Sequence, residues 1–292
     1  MKIDDTNWSV DAVRLGDKLL LDAGRSEAGW HRVELAIRCP RLFAWREVEG
    51  KAFSISPPLV RGSLLHIALA HHYARMREVQ NGGDPERWLA PDEAVFALAE
   101  KNSHESELWM GCAPAIVDVY FAYRNNWAGE EWKILEVENQ MKARVGEKKH
   151  LYTQRADLIV EDVQGRVWIV DHKSAYRINS KTLQQHIMDG QFLGYQMFGK
   201  AKYGNRFAGV IVNRVKLTPR YDFDRRILEP APRAFNWFVQ AIEEGERKIA
   251  QWTGKPTEEW PMAMSNQICY GKYGKCSAFD LCRFGSDDAV AP

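Results

Sequence analysis

No stretch of the 292 residues approaches the roughly 18 uninterrupted apolar residues of a membrane span. The N-terminus, Met1-Lys-Ile-Asp-Asp-Thr-Asn7, lacks the basic start and apolar run of a secretory signal. A cytoplasmic protein with no membrane partner is therefore expected. There is no internal repeat and no low-complexity segment, which excludes a solenoid. Charge of either sign is not in excess: 40 Lys and Arg face 39 Asp and Glu, for a net +1. That total is silent about nucleic acid, because an acidic metal site cancels a basic groove when only sums are counted. Local basic clusters do occur, at Arg38, Arg41 and Arg46, at Lys142, Arg144, Lys148 and Lys149, and at Lys200, Lys202 and Arg206. Each also reads as solvated surface. Cysteine is scarce, with five in all. In a reducing compartment so few are not a disulfide framework, and clustered ones favour metal or cluster ligation.

What is present suits a globular protein. A chain of 33.6 kDa that is 45% hydrophobic can bury a sizeable core. Eleven tryptophans are many. Trp45, Trp88, Trp109, Trp127 and Trp132 fall where helical patterning dominates and are expected mostly in packing, with a minority open to base stacking. Periodicity predicts a short helix over 29–47, a break at Pro57-Pro58, a long helix from Arg61 to the Gly82-Gly-Asp-Pro85 turn, and helix again over 91–129. Near residue 132 the period changes to two. Strands are predicted over 133–145, 154–160 and 166–173, the last two joined as a hairpin through Asp162-Val-Gln-Gly165. A helix over 180–203, a buried strand over 207–215, an edge strand over 220–224 and a helix over 231–252 follow.

Asp-x-Lys alone carries no weight, since Glu49-Gly-Lys51, Glu131-Trp-Lys133, Glu147-Lys-Lys149 and Glu246-Arg-Lys248 arise in the same chain. Asp171-His-Lys173 differs by placement. It ends the apolar strand Val167-Trp-Ile-Val170, whose hairpin partner carries Asp157. Carboxylates on adjacent strands repel unless a cation lies between them, and a hard divalent ion suits oxygen ligands. With Mg²⁺ or Mn²⁺ polarising a phosphate and an ammonium beside it, such a site hydrolyses phosphodiesters. Lys173 is the candidate cation. Alternation puts Asp171 and Lys173 on one face and leaves the His172 backbone carbonyl available to the metal. A plain strand-end salt bridge between Asp171 and Lys173 is the competing reading. Gln191 and Tyr195, four apart, share a helix face, and His66 follows Gly62 by one turn near a helix start.

In this order these residues resemble the PD-(D/E)XK nuclease superfamily, in its RecB-like and CRISPR-associated four-cysteine exonuclease branch, over Arg38 to Cys282. Gly62-Ser-Leu-Leu-His66 looks like the branch's first motif, with a metal-binding histidine. Arg155-Ala-Asp157 looks like its G-x-x-D aspartate, Asp171-His-Lys173 like its D-x-K, and Gln191-Phe-Leu-Gly-Tyr195 like its Q-x-x-x-Y; Glu138 is placed like a glutamate common there. The resemblance implies metal binding by His66, Asp157, Asp171, the His172 carbonyl and Glu138, with Lys173, Gln191 and Tyr195 completing catalysis. It further implies a four-iron, four-sulfur cluster on Cys39, Cys269, Cys276 and Cys282, with Zn²⁺ the alternative. The gap Cys269-x₆-Cys276 is longer than the usual C-x₂-C, whereas Cys276-x₅-Cys282 fits. One α/β domain is expected over 1–292: a restriction-endonuclease-like mixed sheet core, an α-helical N-terminal half and a C-terminal cysteine-cluster lobe. Its parts are an arm to residue 60 with the first cysteine, a helical segment 61–130, a catalytic core 131–225, and a terminal helix and lobe 226–292. The implied activity is exonucleolytic hydrolysis of DNA, single-stranded or at free ends, to 5′-phosphate and 3′-hydroxyl products. A recombinase, helicase or single-strand-binding protein is the implied partner. A non-catalytic or endonucleolytic recombination accessory module, or an iron–sulfur electron carrier, would need other support; no flavin or nucleotide motif accompanies the cysteines.

Overall fold

A computed structural model describes residues 11–22, 24, 26–218, 220–231, 233–271 and 274–285. It begins with a hairpin that the sequence pattern does not signal, β1 (Ala12–Leu15) and β2 (Lys18–Leu21). The predicted helix over 29–47 is three pieces: α1 (Trp30–Arg38), α2 (Pro40–Phe43) and a π-helical turn, Ala44–Val48. Pro40 explains the first division, since proline is accommodated in a first helical turn but not inside a helix. Pro57 and Pro58, expected to break the chain, instead open α3 (Pro57–Gln80) for the same reason: the first helical N–H groups have no intrahelical partner to lose. The stretch 91–129 divides into α4 (Pro91–Asn102) and α5 (Leu108–Asn126).

The strands follow as β3 (Lys133–Val145), β4 (His150–Glu161) and β5 (Val167–Ala175). The helix expected over 180–203 is two, α6 (Ser180–Ile187) and α7 (Gly190–Tyr203), because the Asp189 side chain accepts from Gln191 N at 2.8 Å and caps a new start. Then come β6 (Phe207–Lys216), β7 (Phe223–Leu228), three residues later than its predicted start, and α8 (Ala234–Trp252). A C-terminal lobe holds α9 (Asn266–Cys269), the two-residue strands β8 (Tyr270–Gly271) and β9 (Gly274–Lys275), and α10 (Phe279–Phe284).

The central sheet has order β3-β4-β5-β6-β7, with β5 and β6 parallel and the other pairs antiparallel. A parallel pair needs a crossover, which α6 and α7 supply. One face buries Leu158, Val160, Val170 and Ile211 against α3, α4 and α5; the other buries Ile159, Ile169, Val210 and Val212 against Phe192, Phe198 and Phe238. Mixed α/β architecture around a mixed sheet is the restriction-endonuclease-like arrangement that the sequence predicted. Arg225 ties the first helical layer to the sheet. Its guanidinium lies 3.7 Å from the Trp127 ring centre and 4.1 Å from that of Trp132, and it donates to Tyr73 Oη, Tyr123 Oη and Glu130.

The N-terminal hairpin is fastened through His71. Leu21 N donates to His71 Nε2 at 3.0 Å, so the ring proton sits on Nδ1, which faces Leu89 O at 2.9 Å. Burial lowers this imidazole from its ordinary value to about 4. The unfolded chain, titrating near 6.5, takes up the proton first. His71 therefore stabilises fully above about pH 6.5, and that contribution falls as pH drops toward 4. Between pH 7 and 5 the loss is expected to be about 2 kcal/mol. Urea unfolding at both pH values measures it, and a His71→Gln variant with the same pH sensitivity as the parent would remove His71 as its source.

Candidate active site

The sheet carries an irregularity where the sequence pattern is regular. On β3, Met141, Ala143 and Val145 face the α7–α8 side, yet Val137 faces the α3 side. On β4, Tyr152 and Ala156 face α7–α8, yet Leu158 and Val160 face α3. Strict alternation cannot do this, so both strands change face between these positions. The residues at the change are Glu138 and Asp157. Register pairs Val137 with Leu158 and Asn139 with Ala156, which sets Glu138 opposite Asp157. Glu138 has φ +50°, in the left-handed region that costs a non-glycine residue about 1 kcal/mol or more. The strain aims two buried carboxylates at one point.

His66 completes that point from α3. A Cβ on Gly62 would come within 3.3 Å of Ser174 Oγ, so the glycine lets α3 lie close on β5. One turn on, His66 Nδ1 stands 3.4 Å from Asp157 Oδ2. Ligand atoms of His66, Glu138 and Asp157 all lie within 4.8 Å of one another, alone among the His, Cys, Asp and Glu triplets of the described residues. Burial, then the Asp157 charge, push the Glu138 carboxyl well above its usual range. Burial raises Asp157 too, with Asp171 adding to the rise and His66 and Lys173 opposing it. Facing carboxylates in a buried place are unfavourable unless a cation lies between them. The donor set, one imidazole and two carboxylates, fits a divalent cation.

Beside this triplet is a second set of residues. Lys173 Nζ lies 2.7 Å from Asp171 Oδ2 and donates to Asp171 Oδ1 at 3.0 Å and Gln191 Oε1 at 3.1 Å. Gln191 Nε2 donates to Asp171 Oδ1 and to Tyr195 Oη, at 3.1 and 3.0 Å. Tyr195 Oη lies 3.1 Å from Asp171 Oδ1 and 2.9 Å from Arg155 O. Burial alone would lower Lys173, but Asp171 and then Asp157 outweigh it and keep the ammonium charged. Asp171 Oδ2 is buried against the Lys173 ammonium, and Asp171 is not among the residues whose ligand atoms converge beside it. The two sets are joined through backbone, because His172 N donates to Asp157 Oδ2 at 2.8 Å. The helix carrying Gln191 and Tyr195 fits this closely only because residue 194 is glycine: a Cβ there would meet Gln154 Oε1 at 2.1 Å.

Sequence reasoning missed the support behind His172. Asn213, its register partner on β6, donates to His172 Nδ1 at 2.7 Å and to Tyr123 Oη at 2.9 Å. Tyr73 stacks on the imidazole with ring centres 5.8 Å apart. Asn213 lies in an apolar strand and has no motif around it; its being a polar residue in a buried run was the only available signal. A cavity of about 410 Å³ opens over the triplet, lined also by Trp30, His31, Arg38, Arg46 and Gln191.

The cysteines meet elsewhere. Arg41 donates to Trp260 O at 2.8 Å, and Trp260 stacks on Phe43, docking the C-terminal lobe on the Cys39 segment. Cys39 and Cys276 pack in the same apolar cluster as Ala278 and Leu281. Burial, then Cys39 and Cys276, push the Cys282 thiol up to about 11 against the pull of Arg41, with Cys269 adding a smaller rise. No three of the sulfurs come within 4.8 Å of one another. Tetrahedral Zn²⁺ with bonds near 2.3 Å needs sulfurs about 3.8 Å apart, so the thiols as placed do not fit one zinc ion.

A model of the PD-(D/E)XK nuclease superfamily matches residues 30–283. The chain belongs to that superfamily. A comparison with curated proteins gave no match. Among solved structures it is similar to one described as "Crystal structure of SSO0001", at 17% identity and a TM-score of 0.35, covering 78% of this chain and 86% of that one. PD-(D/E)XK membership points to a nuclease that acts on DNA with divalent metal ions. No helix among the described residues is long and apolar enough to cross a membrane.

Proposed function

We propose that the protein is a Mg²⁺- or Mn²⁺-dependent exonuclease that hydrolyses DNA at free or single-stranded ends to 5′-phosphate and 3′-hydroxyl products. The observation that carries this reading is the strained, buried Glu138 facing Asp157 under His66, with a charged lysine fixed alongside. His66, Glu138 and Asp157 would hold the ion, which when bound would polarise the scissile phosphate and acidify an attacking water. Lys173 meets the negative charge that gathers on phosphorus and orients the water. Asp171, Gln191 and Tyr195 keep that ammonium charged and in place, and Gln191 lines the cavity where the strand would lie.

The experiment is digestion of 5′- and 3′-labelled single- and double-stranded DNA with Mn²⁺ and with chelator. Stepwise release from an end, only with the ion, is expected. Binding without any cleavage would favour instead a non-catalytic accessory module.

Cys39, Cys269, Cys276 and Cys282 would hold a four-iron, four-sulfur cluster. The effect of the other three thiols on Cys282 without zinc-like closeness supports it, because a cluster core spreads its thiolates wider than one ion does. One ligand at residue 39 and three at 269–282 close a very long loop, so the role is structural. Cys39→Ala is expected to lose iron and colour and to melt several degrees lower; a variant unchanged in iron content and melting temperature would refute the assignment.

A further inference from the structure

Two segments meet at the end of the parallel strand pair, and apart from Lys173 neither belongs to the site described. Residues 173–181, Lys-Ser-Ala-Tyr-Arg-Ile-Asn-Ser-Lys, carry three basic side chains and no acidic one. Residues 214–222, Arg-Val-Lys-Leu-Thr-Pro-Arg-Tyr-Asp, carry three basic side chains and a single acid, Asp222. They lie side by side: Ala175 pairs with Lys216, Leu217 N donates to Ala175 O at 3.2 Å, and Arg214 Nη1 donates to Asn179 O at 2.6 Å. In a chain of net charge +1 this is a local excess. Arg214 itself is paired with Asp224, so the charge open to a partner comes from Arg177, Lys181 and Arg220, all exposed.

Two tyrosines stand among these cations. Tyr176 is 75% exposed and Tyr221 37% exposed, where buried packing explains neither ring. Tyr176 is three residues past Lys173, so at most about 10 Å separates their backbones, the rise of about three stacked nucleotides. The neighbouring α6 is anchored to the active site: the His186 ring lies 4.8 Å from Phe192, over whose ring Lys173 Nζ sits at 5.3 Å. Ligands of such sheets bind outside the carboxyl ends of parallel strands, which is where this patch lies.

We infer that Tyr176 and Tyr221, with Arg177, Lys181 and Arg220, form a platform for single-stranded nucleic acid, holding the few nucleotides next to the scissile bond by base stacking and phosphate contacts. The occupant follows from the chemistry. Exposed rings bind unpaired base faces, which a duplex hides in its own stack, and the interleaved cations match a phosphate backbone. This rests on the nuclease reading for its direction toward the metal site, but the binding claim stands separately from cleavage.

The test uses the full chain in Ca²⁺ with a fluorescent oligodeoxythymidine of about 12 nucleotides. The Tyr176→Ala/Tyr221→Ala variant is expected to bind it at least about tenfold more weakly, and Tyr176→Phe/Tyr221→Phe to bind as the parent does, because stacking uses the ring and not the hydroxyl. Arg177→Ala is expected to reduce the salt slope of binding by about 0.7. Hydrolysis of bis(p-nitrophenyl) phosphate with Mn²⁺, which occupies only the metal site, is expected to be unchanged in the double alanine variant. Unaltered oligonucleotide affinity in that variant overturns the platform, as does an equal loss of affinity for a blunt duplex or an equal loss of small-ester hydrolysis. If the parent hydrolyses neither substrate, the nuclease reading fails while the affinity comparison still decides the platform.

Discussion

Lys173→Ala is expected to lower DNA cleavage by about 10²–10³-fold, the usual cost of removing one positioned cation from a transition state. Lys173 Nζ is within 3.1 Å of three acceptors, Asp171 Oδ1, Asp171 Oδ2 and Gln191 Oε1, so its position is fixed before substrate arrives. The variant is not neutral to stability. Asp171 is fully buried and would lose its countercharge, which in a wholly buried pair costs about 3–5 kcal/mol. The Lys173 side chain is 29% exposed, so solvent screening reduces this to about 1–3 kcal/mol. Cleavage should therefore be assayed well below the variant's melting temperature. Full activity in a folded Lys173→Ala protein would place the ammonium outside the mechanism; Lys173→Ala/Asp171→Asn should recover stability without activity.

Asp157→Asn is expected to separate stability from ion binding with opposite signs. In chelator, the variant should melt higher than the parent, because the amide removes the repulsion with buried Glu138 yet still accepts from His172 N. With Mn²⁺ the order should reverse. An ion that binds only the native state stabilises the parent by about 2.7 kcal/mol at a hundred times its dissociation constant. The variant, with one carboxylate of the triplet gone, should gain little and cleave at background rate. Thermal melts in chelator and in Mn²⁺ decide this. An Asp157→Asn protein that gains as much from Mn²⁺ as the parent would move the ion away from the Glu138–His66 pair.

Spacing made much of the site legible. Gly62-x-x-x-His66 and Gln191-x-x-x-Tyr195 could be read because one helical turn puts each pair on a common face. Asp157 and Lys173 could be assigned to the two arms of a hairpin because Asp162-Val-Gln-Gly165 marks its turn, and β4 and β5 do pair there. Helix starts were less visible, since Pro57 and Pro40 break a helix or begin one depending on which side the helix lies. The N-terminal hairpin was missed because β1 is exposed throughout and shows no alternation to detect.

By itself the sequence determined the order of the main helices and strands between the N-terminal hairpin and the C-terminal lobe, the strand–hairpin–helix frame and the residues able to bind an ion or carry charge, because those depend on period and side-chain chemistry, which are local. Only the tertiary structure decided that Glu138 stands opposite Asp157 where both strands change face, that Asp171 is occupied with Lys173, Gln191 and Tyr195, and that Asn213 supports His172 from the next strand. These are contacts between residues distant along the chain, or a break in a period. A pattern read along the chain assumes the period holds, and here the strain that breaks it is what brings the candidate metal ligands together.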